Sequence, residues 1–111
     1  MNNIEINNAD RKTINEHKGY IIGFNSDVVA IGNMNIELLN RFKDYFSQAK
    51  GILVKFSINK KQNIFEINEV MMQLSDIANN DADIIFGTEI NKNIELGKCK
   101  FHVDITGIEE V

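Results

Sequence analysis

The chain has 111 residues, 43% hydrophobic and 25% charged, with a formal net charge of −4, the balance of one ordinary globular domain. Its 12 Lys and Arg against 16 Asp and Glu leave no basic stripe for a phosphate backbone, and no apolar run reaches the ~20 residues of a membrane span. The single cysteine, Cys99, rules out an intrachain disulfide, so the expectation is a cytoplasmic chain without nucleic-acid or membrane partners.

Met1 to Asn8 is polar, with only Ile4 and Ile6 alternating, and reads as a tail or a weak strand. Asp10 to His17 suits a short surface helix capped by Asn8 or Asp10. Gly19 opens a strand, Tyr20-Ile21-Ile22-Gly23-Phe24. The loop from Asn25 to Asn33 carries Val28, Val29 and Ile31, which either pack down or form a contact surface. Asn35 is the expected cap of an amphipathic helix running to Ala49, with Leu38, Leu39, Phe42, Tyr45, Phe46 and Ala49 on its inner face. Gly51 stops it, and Ile52 to Ile58 alternates as a half-buried strand with Ile52, Val54, Phe56 and Ile58 inward. A polar loop, Asn59 to Gln62, follows.

From Asn63 the pattern is helical again, with Ile64, Ile67, Val70, Met71, Leu74, Ile77 and Ala78 on one face. Asn63 can cap it, and Glu66 three residues on completes a capping box. Asn79-Asn80-Asp81 ends the helix through turn or left-handed geometry. Ile84-Ile85-Phe86 is a short β-branched and aromatic run, read as a buried strand. Turn signals at Asn91 to Asn93 and at Leu96-Gly97 precede Lys98 to Thr106, which alternates cleanly. There Cys99, Phe101, Val103 and Ile105 face one side, and Lys98, Lys100, His102, Asp104 and Thr106 the other.

The order β-α-β-α-β-β predicts an α+β fold, a two-layer sandwich in which a four-stranded mixed sheet carries two helices on one face. The β-α-β units should cross right-handedly, and the last two strands should pair as a hairpin. Residues 1–18 form an N-terminal segment and 19–111 the body of a single domain. The outer sheet face should hold Lys55, Ser57, Glu89, Lys98, Lys100, His102, Asp104 and Thr106, with Leu53 and Ile85 as apolar exceptions. A face this polar can stand in water.

Several runs together resemble the C-terminal domain of FtsZ, the bacterial tubulin-like cell-division GTPase. Ile64-Phe65-Glu66-Ile67-Asn68-Glu69 is similar to that family's Leu-Phe-Glu-Val-Asn-Glu helix start. Asn80-Asp81-Ala82-Asp83-Ile84-Ile85-Phe86-Gly87 is similar to its Pro-Asp-Ala-Asn-Ile-Ile-Phe-Gly turn and strand. Ala49 to Val54, Ile105-Thr106-Gly107-Ile108, Ala9-Asp10 with Thr13, and Gly19 to Gly23 fit in the same order, so the resemblance covers nearly the whole chain.

The resemblance implies the family's C-terminal fold without its chemistry. FtsZ binds GTP in a separate N-terminal domain through a glycine-rich loop, whereas the seven glycines here are isolated. The expectation is therefore a chain that is no enzyme alone and needs no cofactor. In the family, a loop before the first helix of this domain carries acidic residues that act on GTP held by the next subunit. The matching positions are Glu5, Asn7 and Asp10. Asp10 keeps an acidic position, and Asn7 replaces the usual aspartate with an amide that cannot serve as a carboxylate base. These are weak in-trans catalytic candidates.

Elsewhere the residues point to contact rather than catalysis. His17 and His102 lack a second ligand at metal spacing, and Cys99 alternates with Phe101 as a buried small hydrophobe. Asp10, Val28, Val29, Ile31 and Met72 are the interaction candidates. The functional expectation is a non-catalytic interaction module that binds itself or an FtsZ-type filament. Two alternatives stay open: an excised C-terminal domain of a full FtsZ, and a small ligand-binding or enzymatic α/β domain with a site between subunits.

Overall fold

The computed structural model describes Ile14 and residues 19–109. The expected tail and surface helix, and the positions Glu5, Asn7 and Asp10, lie outside the described residues. The strands are β1 (Tyr20–Asn25), β2 (Val29–Ala30), β3 (Gly51–Ile58), β4 (Asp83–Ile90) and β5 (Lys98–Ile108). The two α-helices are α1 (Lys43–Gln48) and α2 (Ile64–Ile77).

The sheet runs β1-β5-β3-β4, with β2 beside β5 on the same flank as β1. β5 is antiparallel to both β1 and β3, and β3 is parallel to β4. The class is the expected α+β mixed sheet, but the last two strands do not form a hairpin. β5 instead lies between β1 and β3, pairing Ile22 with Ile105 on one side and Val54 with Val103 on the other. The linker from Asn91 to Gly97 lies outside the usual two to five residues of a hairpin loop. It passes the end of β3, where the Asn59 amide donates to the Ile94 carbonyl at 2.8 Å and Ile94 is buried.

The core lies between the helices and one sheet face. Ile52, Val54, Phe56 and Ile58 of β3 and Cys99, Phe101, Val103 and Ile105 of β5 are buried there, as the alternation predicts. Leu38, Leu39, Phe42, Phe46 and Ala49 meet them from one helical run, and Ile67, Val70, Met71 and Leu74 from α2. Tyr45, placed on the inner face by periodicity, is instead exposed.

The run expected as one helix from Asn35 to Ala49 is broken into two, and a further short turn precedes it. A 3₁₀ turn at Ile31–Asn33 leads into a π-helical stretch at Asn35–Asn40 and then into α1. Phe42 departs from helical geometry at φ −112° and ψ 13°. The helical path opens before Asn35, and Asn35 caps nothing. Its entry is fixed by burial of Ile31 and Met34 rather than by a side-chain cap. The wider turn lets Leu38 and Leu39 both enter the core ahead of Phe42 and Phe46.

α2 starts as expected: the Asn63 side chain accepts from the Phe65 N–H at 2.9 Å. The reciprocal half of the capping box is not made, because the Glu66 carboxylate takes the Gln62 side-chain amide instead. Gln62 is itself buried, and its carbonyl oxygen accepts from the Gly97 N–H at 2.8 Å, tying the α2 entrance to the β4–β5 linker. α2 ends in extended backbone at Ala78 and in a turn in which the Asn79 side chain accepts from the Asp81 N–H at 3.0 Å.

Candidate functional site

The alternation of β3 and β5 forces one polar row out of the sheet for every apolar row put in. The register then sets Lys55 beside His102, Ser57 beside both Lys100 and Glu89, and His102 beside Asn25. These residues, with Ser26 and Phe101, line a hollow of about 400 Å³. The Ser57 hydroxyl donates to Glu89 at 2.7 Å, and the Lys55 ammonium lies 3.1 Å from the same carboxylate. Ser57 first, and Lys55 after it, hold the Glu89 carboxyl below its ordinary range against a small opposing effect of burial.

His102 is held at both ring nitrogens, Nδ1 at 2.7 Å from the Asn25 side-chain oxygen and Nε2 at 2.9 Å from Asp104. The imidazole is therefore fixed rather than freely solvated. Ser57 faces a carboxylate and not this imidazole, so the pair lacks the nucleophile–base geometry of acyl transfer. Among the described residues no group of three or more His, Cys, Asp or Glu is placed to hold a metal ion. The row is a set of matched charges, suited to packing against another polar surface.

The outer face is not uniformly open. At its Gly51 end Leu53 and Thr106 are buried, and the Thr106 hydroxyl donates to the Ile14 carbonyl at 2.8 Å. Ile14 is 1% exposed, so this one described residue of the expected surface helix packs at this end of the sheet. Thr106, expected in the solvated row, is covered there.

Of the interaction candidates, Val28 and Met72 are exposed, Val29 is half-buried in β2, and Ile31 is taken into the core. That burial removes Ile31 from the available surface. Met72 is 68% exposed and has a companion that periodicity did not single out, Phe65 at 70%. The signal was present: Phe65 and Met72 stand seven residues apart, on one stripe of α2 off its apolar face. Below Met72 a second hollow, about 330 Å³, is lined by Asn68, Met71, Met72, Ser75, Ile84 and Phe86. Cys99 is buried, its sulfur 3.7 Å from that of Met34, and burial pushes its thiol up to about 12.

Residues 26–109 match the family described as FtsZ family, C-terminal domain. The chain belongs to the FtsZ family. Two solved FtsZ structures from M. jannaschii share the fold. One, an empty FtsZ dimer, superposes with a TM-score of 0.70 at 24% identity, covering 94% of this chain and 32% of its own. The other, a single-substitution FtsZ variant, gives 0.71 at 23%, covering 95% and 33%. The chain thus spans about a third of the length of these FtsZ structures. A comparison with curated proteins finds no match. The matched stretch contains the Phe65–Met72 stripe and the polar row apart from Asn25, and it is the FtsZ part that does not carry the GTP site. No helix among the described residues is long and apolar enough to cross a membrane.

Proposed function

We propose that the chain acts as a non-catalytic FtsZ-type interaction module in cell division, docking on an FtsZ-type filament. The carrying observation is the stripe of Phe65 and Met72, two large apolar side chains about 70% exposed on the helix with the strongest family resemblance. Exposed apolar groups grouped above a hollow mark contact surfaces more often than solvated ones. A domain of this kind occupies one subunit contact without presenting a nucleotide site for the next, and so caps a filament end. The loop positions Glu5, Asn7 and Asp10 belong to the same proposal as the part that would approach a neighbour's GTP.

The test adds the purified chain to polymerising FtsZ from the same cell and follows light scattering and GTP turnover. Substoichiometric chain should lower both, and replacing Phe65 and Met72 together by serine should abolish the effect. Unchanged scattering and turnover at excess chain would overturn the reading. The second reading, that this is the C-terminal part of a longer FtsZ GTPase, is favoured by the one-third coverage of the solved FtsZ chains. It predicts that joining the chain to an FtsZ nucleotide-binding domain restores polymerisation.

A further inference from the structure

β1 is an edge strand. It pairs with β5 on one side, and among the described residues nothing pairs with it on the other. Its sequence, Tyr-Ile-Ile-Gly-Phe-Asn, carries neither a charge nor a proline to blunt the edge. Tyr20 is 55% and Ile21 58% exposed.

The direction of the free backbone groups follows from the ladder. The Ser26 N–H donates to the Phe101 carbonyl at 2.9 Å, continuing the β1–β5 register. With a period of two, Phe24 and Ile22 also turn their backbone groups toward β5, and Ile21, Gly23 and Asn25 turn theirs outward. A second strand must therefore bond within the set Ile21, Gly23 and Asn25.

Two-fold antiparallel registers centred on Ile22 or on Gly23 both join outward groups, and the one centred on Ile22 also sets aromatic against aromatic. Centred on Ile22, an antiparallel copy sets Ile21 against Gly23 of the second copy, both with outward backbone groups. Ile22 then meets its own equivalent, and Tyr20 meets Phe24 of the second copy, in positions where side chains approach most closely. The spacing Tyr20, Ile22, Phe24 is thus self-complementary. Gly23 sets no side chain of its own against Ile21 of the second copy, and the Asp104 carboxylate lies over it, 3.2 Å from where a Cβ would stand. The Arg41 guanidinium, 4.4 Å over the Phe24 ring, would lie beside Tyr20 of the second copy, a cation against an aromatic face.

We infer that two copies of this chain associate through β1, antiparallel about Ile22, to continue one sheet across both. This goes beyond the proposed filament docking and takes up the self-association expected from the sequence, by a different face from the Phe65–Met72 stripe, so each can fail alone. The contact is one short strand per copy, well below the area of a permanent dimer, which makes it a weak, concentration-dependent association.

Two experiments read the register. In Ile22→Cys the new thiols sit across the two-fold in a non-hydrogen-bonded pair, about 4.5 Å between Cα atoms and within disulfide reach. Mild oxidation should cross-link this variant at least tenfold faster than Ile21→Cys, whose thiols do not face each other. Equal rates would overturn the register, and no cross-link in either would overturn the dimer.

Sedimentation velocity across a concentration series gives the second reading. The unaltered chain should shift from monomer toward dimer. Tyr20→Lys, which sets an ammonium against Arg41 of the other copy, should remain monomeric, and so should Arg41→Glu. A mixture of those two variants should recover the dimer, because both contacts are then favourable. A mixture no better than its components, or a Tyr20→Lys chain that dimerises normally, would refute the inference. Tyr20→Lys should still act on FtsZ filaments, which separates this test from that of the Phe65–Met72 stripe.

Discussion

Replacing Gly107 by alanine tests the account of β5 at its tightest point. Between Tyr20 and Ile22 the β1–β5 register slips, so that β5 carries one extra residue. Gly107 takes up that bulge at φ +76°. Alanine in left-handed geometry costs about 1–2 kcal/mol. Its Cβ would also fall 2.6 Å from the Cβ of Lys50. That atom is the root of the side chain and cannot swing away. Lys50 is fixed by its N–H bond to the Thr106 carbonyl and by its carbonyl accepting from the Asp83 N–H, each at 2.9 Å. Relieving the overlap therefore moves backbone shared by three strands, at a further cost of about 1–3 kcal/mol.

The sum, about 2–5 kcal/mol, is a large part of the stability of a domain this size. It should lower Tm by about 10 °C or more in a thermal melt followed by circular dichroism. Gly32→Ala is the control, since a Cβ there meets nothing within 4 Å, and it should melt within about 2 °C of the parent. If Gly107→Ala melts with the control, the bulge and the Lys50 contact do not constrain the fold as argued.

The remaining predictions concern single interactions. Asn63→Ala, which removes the acceptor for the Phe65 N–H, should cost about 1 kcal/mol in a urea melt, and Asn63→Asp should cost almost nothing. With its thiol pushed up to about 12, Cys99 should hold roughly one part in ten thousand as thiolate at pH 8. A thiol reagent should then label it only after unfolding, and labelling at the rate of a free thiol in native buffer would contradict its burial. The lowered Glu89 value means that its contacts with Ser57 and Lys55 stabilise the fold above the unfolded carboxyl range and are lost as pH falls through the folded value. Glu89→Gln should therefore destabilise at pH 7 and be neutral in acid. The difference is on the order of 0.5 kcal/mol, because Lys55 and Glu89 are 38% and 47% exposed and water screens the pair.

The strands and α2 were legible in the sequence because each buries a regular pattern. Ile52, Val54, Phe56 and Ile58 at period two, and Ile67, Val70, Met71 and Leu74 at helical spacing, leave few other faces to bury. The strand order was not legible. β4 and β5 are neighbours in sequence, and a pattern of alternation says which face is buried but not which strand lies alongside. The break at Phe42 escaped for a related reason: Leu38, Leu39, Phe42 and Phe46 fit an α-helical stripe and a wider turn almost equally well. The polar row was readable residue by residue. Its burial at Leu53 and Thr106 was not, since Ile14 alone gave no amphipathic face to the segment around it.

β5, the last strand among the described residues, is also the one that holds the sheet together. β1 and β3 share no ladder and meet only through it. A chain still emerging during synthesis can form the parallel pair of β3 and β4 over α2, but among the described strands β1 has no partner until Lys98 to Ile108 is made. Closure of the sheet is therefore a late, long-range event. In that interval the uncharged Tyr20–Asn25 strand also has open to a neighbour the edge that β5 covers once the sheet is closed.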